Sequence, residues 1–245
     1  CAYFLGVEVG RSTISIGLQN IKNEFVSIDL ATAFILKDSK KSLAEFCNLI
    51  NSFIEDSLVE KNMIVGVCIN LSGRINSMEG FSYNYFFSEN RPLTEIISDK
   101  LGLPVHLEND SRAMAFGEYC EGVVDDEQNI IFVNYSYGVA IGIITDGKLY
   151  YGKSGYSGEF GHSNIFDNEI MCQCGKLGCL ETEISGWSLV NQFRDALKDG
   201  KQSKINIEDD ACLIQHQAII DGAVKLEDSL CVDLVTKQSD KMGRY

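Results

Sequence analysis

The hydrophobic positions in the first third of the chain change their period several times, and each change predicts a new element. Short apolar or alternating runs predict strands over residues 3–9, 12–18, 25–32 and 64–70. The segment 42–58 carries apolar residues three and four positions apart, which predicts a helix. The run over 64–70 is almost continuously apolar, as expected of a strand covered on both faces. Together these elements predict an α/β layer.

The second part of the chain repeats this order. Further helices are predicted over 94–101, 111–119, 184–197, 207–220 and 226–241, and further strands over 104–108, 129–135, 139–145 and 148–151. Asp146-Gly147 is typical of a type I′ hairpin turn. Two α/β halves with similar openings indicate a duplication at the level of the fold. We therefore expect an N-terminal lobe over 1–115 and a C-terminal lobe, truncated at its end, over 116–245.

Composition and charge indicate which classes of molecule the chain can bind. The chain has 245 residues, of which 45% are hydrophobic, so it can bury a sizeable core and is not a disordered protein. Its 21 basic and 35 acidic residues give a net charge of −14, and such a surface repels phosphate backbones. No apolar stretch reaches the roughly 18 residues of a membrane span. The chain alone should bind no nucleic acid and no membrane, whereas a small neutral ligand fits.

The termini and the cysteines indicate the compartment. The chain begins at Cys1 rather than Met and shows no signal peptide, so we expect a piece of a longer cytoplasmic protein. Nine cysteines, three of them within eight residues, are not a disulfide framework but indicate reduced thiols and one metal cluster. We expect the cysteines outside that cluster to be small core residues: Cys47, Cys68, Cys120, Cys212 and Cys231.

Four candidate metal ligands follow the spacing H-x9-C-x-C-x4-C: His162, Cys172, Cys174 and Cys179. Three thiolates and one imidazole match a closed, tetrahedral, structural zinc site, and they leave no open position for catalysis. Gly175 and Gly178 suit the tight turn that would aim the sulfurs at one point. The alternative is three unconnected buried cysteines and a surface histidine.

Two acids flank this cluster, Glu159 before His162 and Glu181 after Cys179. If zinc takes one ring nitrogen of His162, the other can meet a hydroxyl of a ligand. Carboxylates that accept from neighbouring hydroxyls, next to an imidazole, suit a sugar. The alternative is that both acids are solvated loop residues. Trp187, the single tryptophan, is expected as a core or interface anchor rather than a sugar-stacking ring.

A third polar group, Glu108-Asn109-Asp110, follows a predicted strand and precedes a predicted helix. The carboxyl ends of strands in open α/β sheets face ligand crevices. Asp110 can act as a general base towards a sugar hydroxyl, and Asn109 as donor and acceptor. The alternative is that Asn109 or Asp110 caps the helix, and both roles are compatible through different atoms.

These residues resemble a known family. Glu159-Phe160-Gly161-His162, followed by the cysteine segment 172–181, is similar to the signature of the ROK family (repressors, open reading frames and sugar kinases). The segment 108–113 is similar to the family's E-N-D-A-N-A, residues 72–76 with Gly80 to its sugar-side loop, and 134–147 to its second hairpin. The resemblance covers essentially the whole chain and is closest to N-acetylglucosamine- and xylose-repressor-like regulators.

The resemblance implies an actin-like, ribonuclease H-like fold of two lobes with a structural zinc site and a sugar in the cleft. It implies these sugar contacts: Gly73, Arg74, Asn109, Asp110, Glu159, His162 and Glu181. It also implies that zinc is held by His162, Cys172, Cys174 and Cys179. In the kinases of the family, the residue at Asp110 deprotonates the attacking hydroxyl.

Two segments depart from the kinases of the family. Their first phosphate loop reads D-x-G-G-T-K. In this chain Glu8 replaces the Asp that organises Mg²⁺, and Arg11 replaces a glycine. Their second, G-T-G-I-G-x-G, carries Tyr137 and Ala140 here. Phosphates need bare amides at close range, which is why such loops are rich in glycine. The changes favour sensing without phosphoryl transfer, and the alternative is a slow kinase.

The combined expectation is a sugar-binding effector domain of a ROK-type transcriptional repressor of carbohydrate metabolism. It would sense a hexose or N-acetylhexosamine, and it would bind DNA through a winged helix-turn-helix outside this chain, as a homodimer or higher homo-oligomer. The alternative is an ATP- and Mg²⁺-dependent glucokinase or N-acetylhexosamine kinase with Asp110 as the general base. A purely structural zinc module is the third possibility.

Overall fold

Backbone contacts divide the chain into two compact units. The computed structural model describes residues 2–86, 90–205 and 215–245. The first unit comprises Cys1–Ile130 and Ile143–Ser157, and the second comprises Ile131–Gly142 and Gly158–Tyr245. This division differs from the lobes expected over 1–115 and 116–245. The first unit extends further because backbone and side-chain bonds hold residues 143–157 to it, among them Gly147 N to Gln128 O at 2.9 Å.

A five-stranded sheet forms the centre of the first unit. The strands before residue 110 are β1 (Tyr3–Val9), β2 (Thr13–Asn20), β3 (Phe25–Ala33), β4 (Ile64–Leu71), β5 (Ile75–Asn76), β6 (Phe81–Ser82) and β7 (Val105–Asn109). The large sheet has the order β3-β2-β1-β4-β7. β1, β2 and β3 pair as antiparallel neighbours, whereas β4 is parallel to both β1 and β7. The predicted early hairpins and the parallel strand are thereby confirmed.

Helices cover one face of this sheet. They are α1 (Lys40–Asp56) and α2 (Leu93–Leu101), and α3 (Asp110–Glu121) follows β7. Ser39 caps α1 by accepting from Ser42 N at 3.2 Å, which satisfies an amide that the first helical turn leaves without a partner. Phe46 and Ile50 of α1 pack in one core with Leu5 and Ile69 of the sheet.

Two expectations for this unit are wrong. β4 is not covered on both faces, because Val65 and Cys68 are exposed while Val67, Ile69 and Leu71 are buried. The continuous apolar run did not indicate that only one face of the strand meets the helices. Of the cysteines expected in the core, Cys47 is buried, but Cys68 and Cys120 are exposed.

The remaining elements include a small sheet and four helices. They are β8 (Ile130–Tyr135), β9 (Val139–Thr145), β10 (Lys148–Leu149), α4 (Glu181–Ile184), α5 (Gly186–Lys198), α6 (Gln215–Lys225) and α7 (Ser229–Met242). The small sheet has the order β10-β9-β8. Asp146 and Gly147 both have positive φ, of 51° and 71°, as the predicted type I′ turn requires.

The helices of the second unit enclose its core. Leu189 and Phe193 of α5 pack with Ile219 of α6 and with Leu230 and Leu234 of α7. The predicted helices over 184–197 and 226–241 correspond to α5 and α7. Residues 206–214, which include Cys212 and the first part of the helix predicted over 207–220, lie outside the described residues. None of the described helices combines the length and the apolar character needed to cross a membrane.

The core of the first unit gives a test of the packing. Ile50 is 0% exposed in α1, whereas Ile21 in the turn after β2 is 68% exposed. Ile50→Ala should lower the free energy of unfolding by about 2–5 kcal/mol, because it removes buried methyl groups and leaves a cavity. Ile21→Ala should change it by less than about 0.5 kcal/mol. Urea denaturation measures both, and equal effects would contradict this assignment of the core.

Candidate functional site

The junction between β7 and α3 holds the first group of predicted site residues. Asn109 is the N-cap of α3, and its side-chain oxygen accepts from Arg112 N at 3.1 Å. Its Nδ2 donates to Gly73 O and to Asp110 Oδ1, each at 3.0 Å. The capping role of Asn109 is therefore confirmed. The same side chain also fixes the loop at Gly73 beside Asp110.

The Gly73 loop has a defined backbone. Gly73 has φ +90°, and a Cβ there would lie 2.5 Å from Asn84 Oδ1, so only glycine fits. Asn84 Oδ1 accepts from Arg74 N at 2.8 Å, and Tyr83 N donates to Arg74 O at 3.0 Å. The side chain of Arg74 is exposed. The loop thus has a fixed backbone, which bonds to Asn109 through Gly73 O, and it carries one exposed cation.

A buried ion pair, which the sequence analysis missed, lies under this junction. Arg112 Nε donates to Glu108 Oε1 at 2.7 Å, and the two side chains are only 2% and 6% exposed. The guanidinium also donates to Ile75 O and Gly155 O at 2.9 Å and to Ser77 Oγ at 3.2 Å. The spacing of four residues between Glu108 and Arg112 was the one signal in the sequence.

Glu108 is the most heavily bonded acid of the group. It accepts hydrogen bonds from Ser77 Oγ at 2.8 Å, from Asn109 N at 2.7 Å and from the Tyr151 hydroxyl at 3.0 Å. Burial raises the pKa of Glu108, but bonding to His106, the charge of Arg112 and the Asn109 amide together outweigh it and hold the pKa at about 2. Glu108 is therefore a structural anion and not a proton carrier.

Asp110 has a different environment. Among the described residues, its hydrogen bonds all go to Oδ1, from Asn109 Nδ2, from Ser111 N at 2.7 Å and from Ser111 Oγ at 3.3 Å. Oδ2 therefore remains available to a ligand. Burial and the nearby charge of Glu8 raise the pKa of Asp110, whereas the Ser111 hydrogen bonds and the charge of Arg112 lower it. Burial has the largest effect, and the pKa of Asp110 is raised overall.

The second unit brings the four predicted metal ligands together. The ligand atoms of His162, Cys172, Cys174 and Cys179 all lie within 4.8 Å of one another. Cys172 Sγ lies 3.4 Å from His162 Nδ1, and Cys174 Sγ lies 3.6 Å from Cys179 Sγ. Tetrahedral zinc with Zn–S bonds of about 2.3 Å separates its sulfurs by about 3.8 Å. The cluster is consistent with zinc, and the alternative of unconnected cysteines is wrong.

The turn between the cysteines follows the predicted glycine pattern. Gly175 has φ +84°, its N–H donates to Cys172 O at 2.9 Å, and Cys172 N donates to Lys176 O at 2.8 Å. Gly178 has φ +66°, and a Cβ there would collide with Phe166 O. Burial raises the pKa of the Cys172 thiol to about 12. A bound cation would offset that cost by stabilising the thiolate.

The two flanking acids differ. Glu159 Oε2 lies 3.7 Å from His162 Nε2, the ring nitrogen that faces away from Cys172, and both side chains are partly open to solvent. Glu181 is 7% exposed; it accepts from Val139 N and from Trp187 Nε1, each at 3.2 Å. The alternative of a solvated loop acid is wrong for Glu181. Trp187 is buried, as expected of an anchor.

Backbone hydrogen bonds hold the two segments that correspond to the family's phosphate loops. Gly10 N donates to Thr13 O at 2.8 Å in the first. In the second, Ser136 O and Tyr137 O accept from Gly186 N and Trp187 N, at 2.9 and 3.0 Å. Amides in the first turn of a helix can bind anions. In α5 the first amides instead donate to carbonyl groups of the chain.

Comparison with known proteins assigns the family. The sequence profile of the ROK family matches residues 4–231. The chain belongs to the ROK family. The xylose repressor of Caldicellulosiruptor bescii is 29% identical over 242 residues, which cover 98% of this chain and 60% of the repressor. The glucokinase of Streptomyces coelicolor is 31% identical over 191 residues, which cover 76% of this chain and 57% of the glucokinase.

A solved structure extends the comparison to the fold. The crystal structure of a ROK family transcriptional regulator, a homologue of the Escherichia coli MLC protein, matches with a TM-score of 0.78 and 26% identity. The match covers 98% of this chain and 60% of that one. The chain therefore has the α/β sugar-kinase-like fold of ROK proteins, within the actin-like ATPase superfamily. It spans less than two thirds of the length of the relatives named here.

The cysteine cluster generates a prediction about metal content. The purified chain should contain about one zinc ion, and Cys172→Ser should lose most of it. The thermal midpoint should then fall by about 5–10 °C, because metal binding contributes to folding. Cys120→Ser, at an exposed cysteine outside the cluster, is the matched control and should keep both values. Elemental analysis and calorimetry measure them; unchanged zinc in Cys172→Ser would contradict the assignment.

The buried ion pair generates a prediction about pH. Folding lowers the pKa of Glu108 from 4.5 to about 2, so its contribution to stability is full above the unfolded value and is lost as the pH falls towards 2. Glu108→Gln should cost roughly 3–5 kcal/mol at neutral pH, because Arg112 is left buried without its partner.

The difference between wild type and Glu108→Gln should shrink as the pH falls from 4.5 to about 2, and denaturation curves at each pH measure it. Glu95→Gln is the matched control, because Glu95 pairs with Arg91 at the surface. Its effect should stay below about 1 kcal/mol. A pH-independent difference for Glu108→Gln would show that the carboxylate charge does not stabilise the fold.

Proposed function

We propose that this chain is the sugar-sensing part of a ROK transcriptional regulator of carbohydrate metabolism. Its ligand would be a hexose or N-acetylhexosamine. The observation that carries the proposal is the Asn109–Asp110 pair, which a buried ion pair supports and whose Asp110 Oδ2 is available to a hydroxyl. The changed phosphate loops support binding without phosphoryl transfer.

The proposed sugar ligands have complementary chemistry. In the first unit they are Gly73, Arg74, Asn109 and Asp110; in the second unit they are Glu159, His162 and Glu181. Carboxylates accept from hydroxyl groups, the Asn109 amide both donates and accepts, and a neutral imidazole does either according to its tautomer. A sugar hydroxyl likewise both donates and accepts. In each unit, these groups suit a polyol better than an apolar ligand.

Zinc would have a structural role in this proposal. His162, Cys172, Cys174 and Cys179 would hold it as four protein ligands, which leaves no position for a reacting water. The ion would fix the orientation of the His162 ring, with Nε2 towards Glu159. It would also stabilise the turn that precedes Glu181, whose carboxylate bonds to Val139 N.

The departures from a kinase support the regulator. Glu8 and Arg11 bring longer side chains to the first phosphate loop, and Tyr137 and Ala140 add side chains to the second. Positioning of a γ-phosphate depends on unobstructed amides and on a correctly placed Mg²⁺. The amides of Gly186 and Trp187 at the start of α5 donate to loop carbonyls. These features favour a protein that binds a sugar and leaves it unchanged.

Regulation would follow from linked equilibria. A sugar that binds one conformation of the regulator more tightly shifts the population towards it, and only by that difference in affinity. DNA would be bound by a winged helix-turn-helix outside this chain, and a homodimer or higher homo-oligomer would match two operator half-sites.

A sugar kinase is the second candidate, and two observations favour it. One of the relatives, the glucokinase of Streptomyces coelicolor, is 31% identical over 76% of this chain. Burial also raises the pKa of Asp110, which suits a general base towards a sugar hydroxyl. In that case ATP and Mg²⁺ would be the cosubstrates.

Calorimetric titration with hexoses and N-acetylhexosamines tests the proposal. At least one sugar should bind, and Asp110→Asn should weaken it by about 10- to 100-fold, because a charge-assisted hydrogen bond is lost. Asp56→Asn, at an exposed aspartate at the end of α1, is the matched control and should bind like wild type. Absence of binding by every sugar would remove the sensing function.

Release of ADP distinguishes the kinase. With the bound sugar, ATP and Mg²⁺, the regulator should release no more ADP than without sugar. Sugar-dependent release by the wild type that disappears in Asp110→Asn would establish the kinase instead. Asp56→Asn again controls for a general effect of removing a carboxylate.

A further inference from the structure

Arg112 contacts three other segments of the first unit from a buried position. It pairs with Glu108 at the end of β7 and lies in the first turn of α3. Its guanidinium also donates to Ile75 O of β5 and to Gly155 O of the loop after β10. Glu108, Arg112 and these two carbonyl groups surround the junction that carries Asn109 and Asp110.

The geometry links this network to the proposed sugar ligands. The Arg112 guanidinium bonds to Glu108 Oε1, which also accepts from Asn109 N at 2.7 Å. Asn109 Nδ2 in turn joins Gly73 O to Asp110 Oδ1. The Gly73 loop continues directly into Ile75, whose carbonyl Arg112 also holds. Hydrogen bonds therefore link both the Gly73 loop and Asp110, the proposed sugar contacts of this unit, to the Arg112 guanidinium.

We propose that Arg112 is a positioning residue for sugar binding: it holds the Gly73 loop and the Asn109–Asp110 pair in register without touching the sugar. The role rests on the sugar-sensing function proposed above. The side chain of Arg112 is 2% exposed and its donors are engaged by the protein, so it acts through its neighbours. A lysine could not replace it, because one ammonium lacks the planar set of donors that meets Glu108, Ile75 and Gly155 together.

A merely stabilising ion pair makes a different prediction. Replacement of both members of a buried pair by neutral residues avoids an unpaired charge, so it costs much less stability than removal of one. In the double variant Arg112→Met with Glu108→Gln, stability should therefore largely return. The double variant still lacks the bonds to Ile75 O and Gly155 O. The Gly73 loop and the Asn109–Asp110 pair should therefore not regain their wild-type positions relative to each other.

The test compares sugar affinity with thermal stability in four variants of the full chain. In the double variant, the unfolding midpoint should lie above that of Arg112→Met alone, while sugar affinity should stay at least about tenfold below wild type. Arg112→Lys should be folded and should also bind less tightly. Arg91→Met removes an exposed arginine that pairs with Asp99 and should leave affinity unchanged.

Wild-type affinity in either the double variant or Arg112→Lys would overturn the positioning role while the sensing function stands. A wild-type chain that binds no sugar would overturn both. The Asn109 side-chain amide, labelled with ¹⁵N and assigned with Asn109→Ala, gives a readout without sugar. Its resonance should shift in Arg112→Lys and stay in place in Arg91→Met; an unchanged resonance in Arg112→Lys would also overturn the role.

Discussion

The pairing of Arg112 with Glu108 is the constraint on which the candidate site of the first unit depends. Burial of two charges is costly unless each finds compensating partners, and here Ser77, Tyr151 and backbone groups complete the set. The result is a rigid base of fixed charge under the start of α3. Asp110 lies beside this ion pair. Its Oδ2 is available to a ligand, whereas both carboxylate oxygens of Glu108 accept hydrogen bonds from the protein.

The cysteine cluster imposes a comparable constraint on the second unit. Residues 158–180 contain little regular structure, and turn hydrogen bonds such as Cys172 N to Lys176 O hold them locally. The convergence of three sulfurs and His162 adds a constraint from side chains, and Glu181 bonds to Val139 and Trp187. Both units thus use buried polar groups to fix loops that a hydrophobic core alone would leave undefined. That use of polar groups is expected where binding geometry, rather than stability, is under constraint.

The sequence predicted most elements and the membership of the metal cluster, because both leave local signals. Apolar periodicity located α1 and β4, and ligand spacing located the cysteines. Burial was less predictable: Val65 and Cys68 are apolar yet exposed, since periodicity does not say which sheet face receives helices. Arg112 was missed because its partners at Ile75 and Gly155 are distant in sequence, and backbone carbonyls carry no residue-type signal.

A crystal structure of the chain with a bound hexose or N-acetylhexosamine would show whether the Asn109–Asp110 pair binds the sugar. We expect a sugar hydroxyl within hydrogen-bonding distance, about 2.6–3.2 Å, of Asp110 Oδ2, with Asn109 still bonded to Gly73. We also expect the sugar to leave the Arg112–Glu108 pair unchanged. A sugar bound elsewhere, with no contact to Asn109 or Asp110, would contradict the proposed role of this pair.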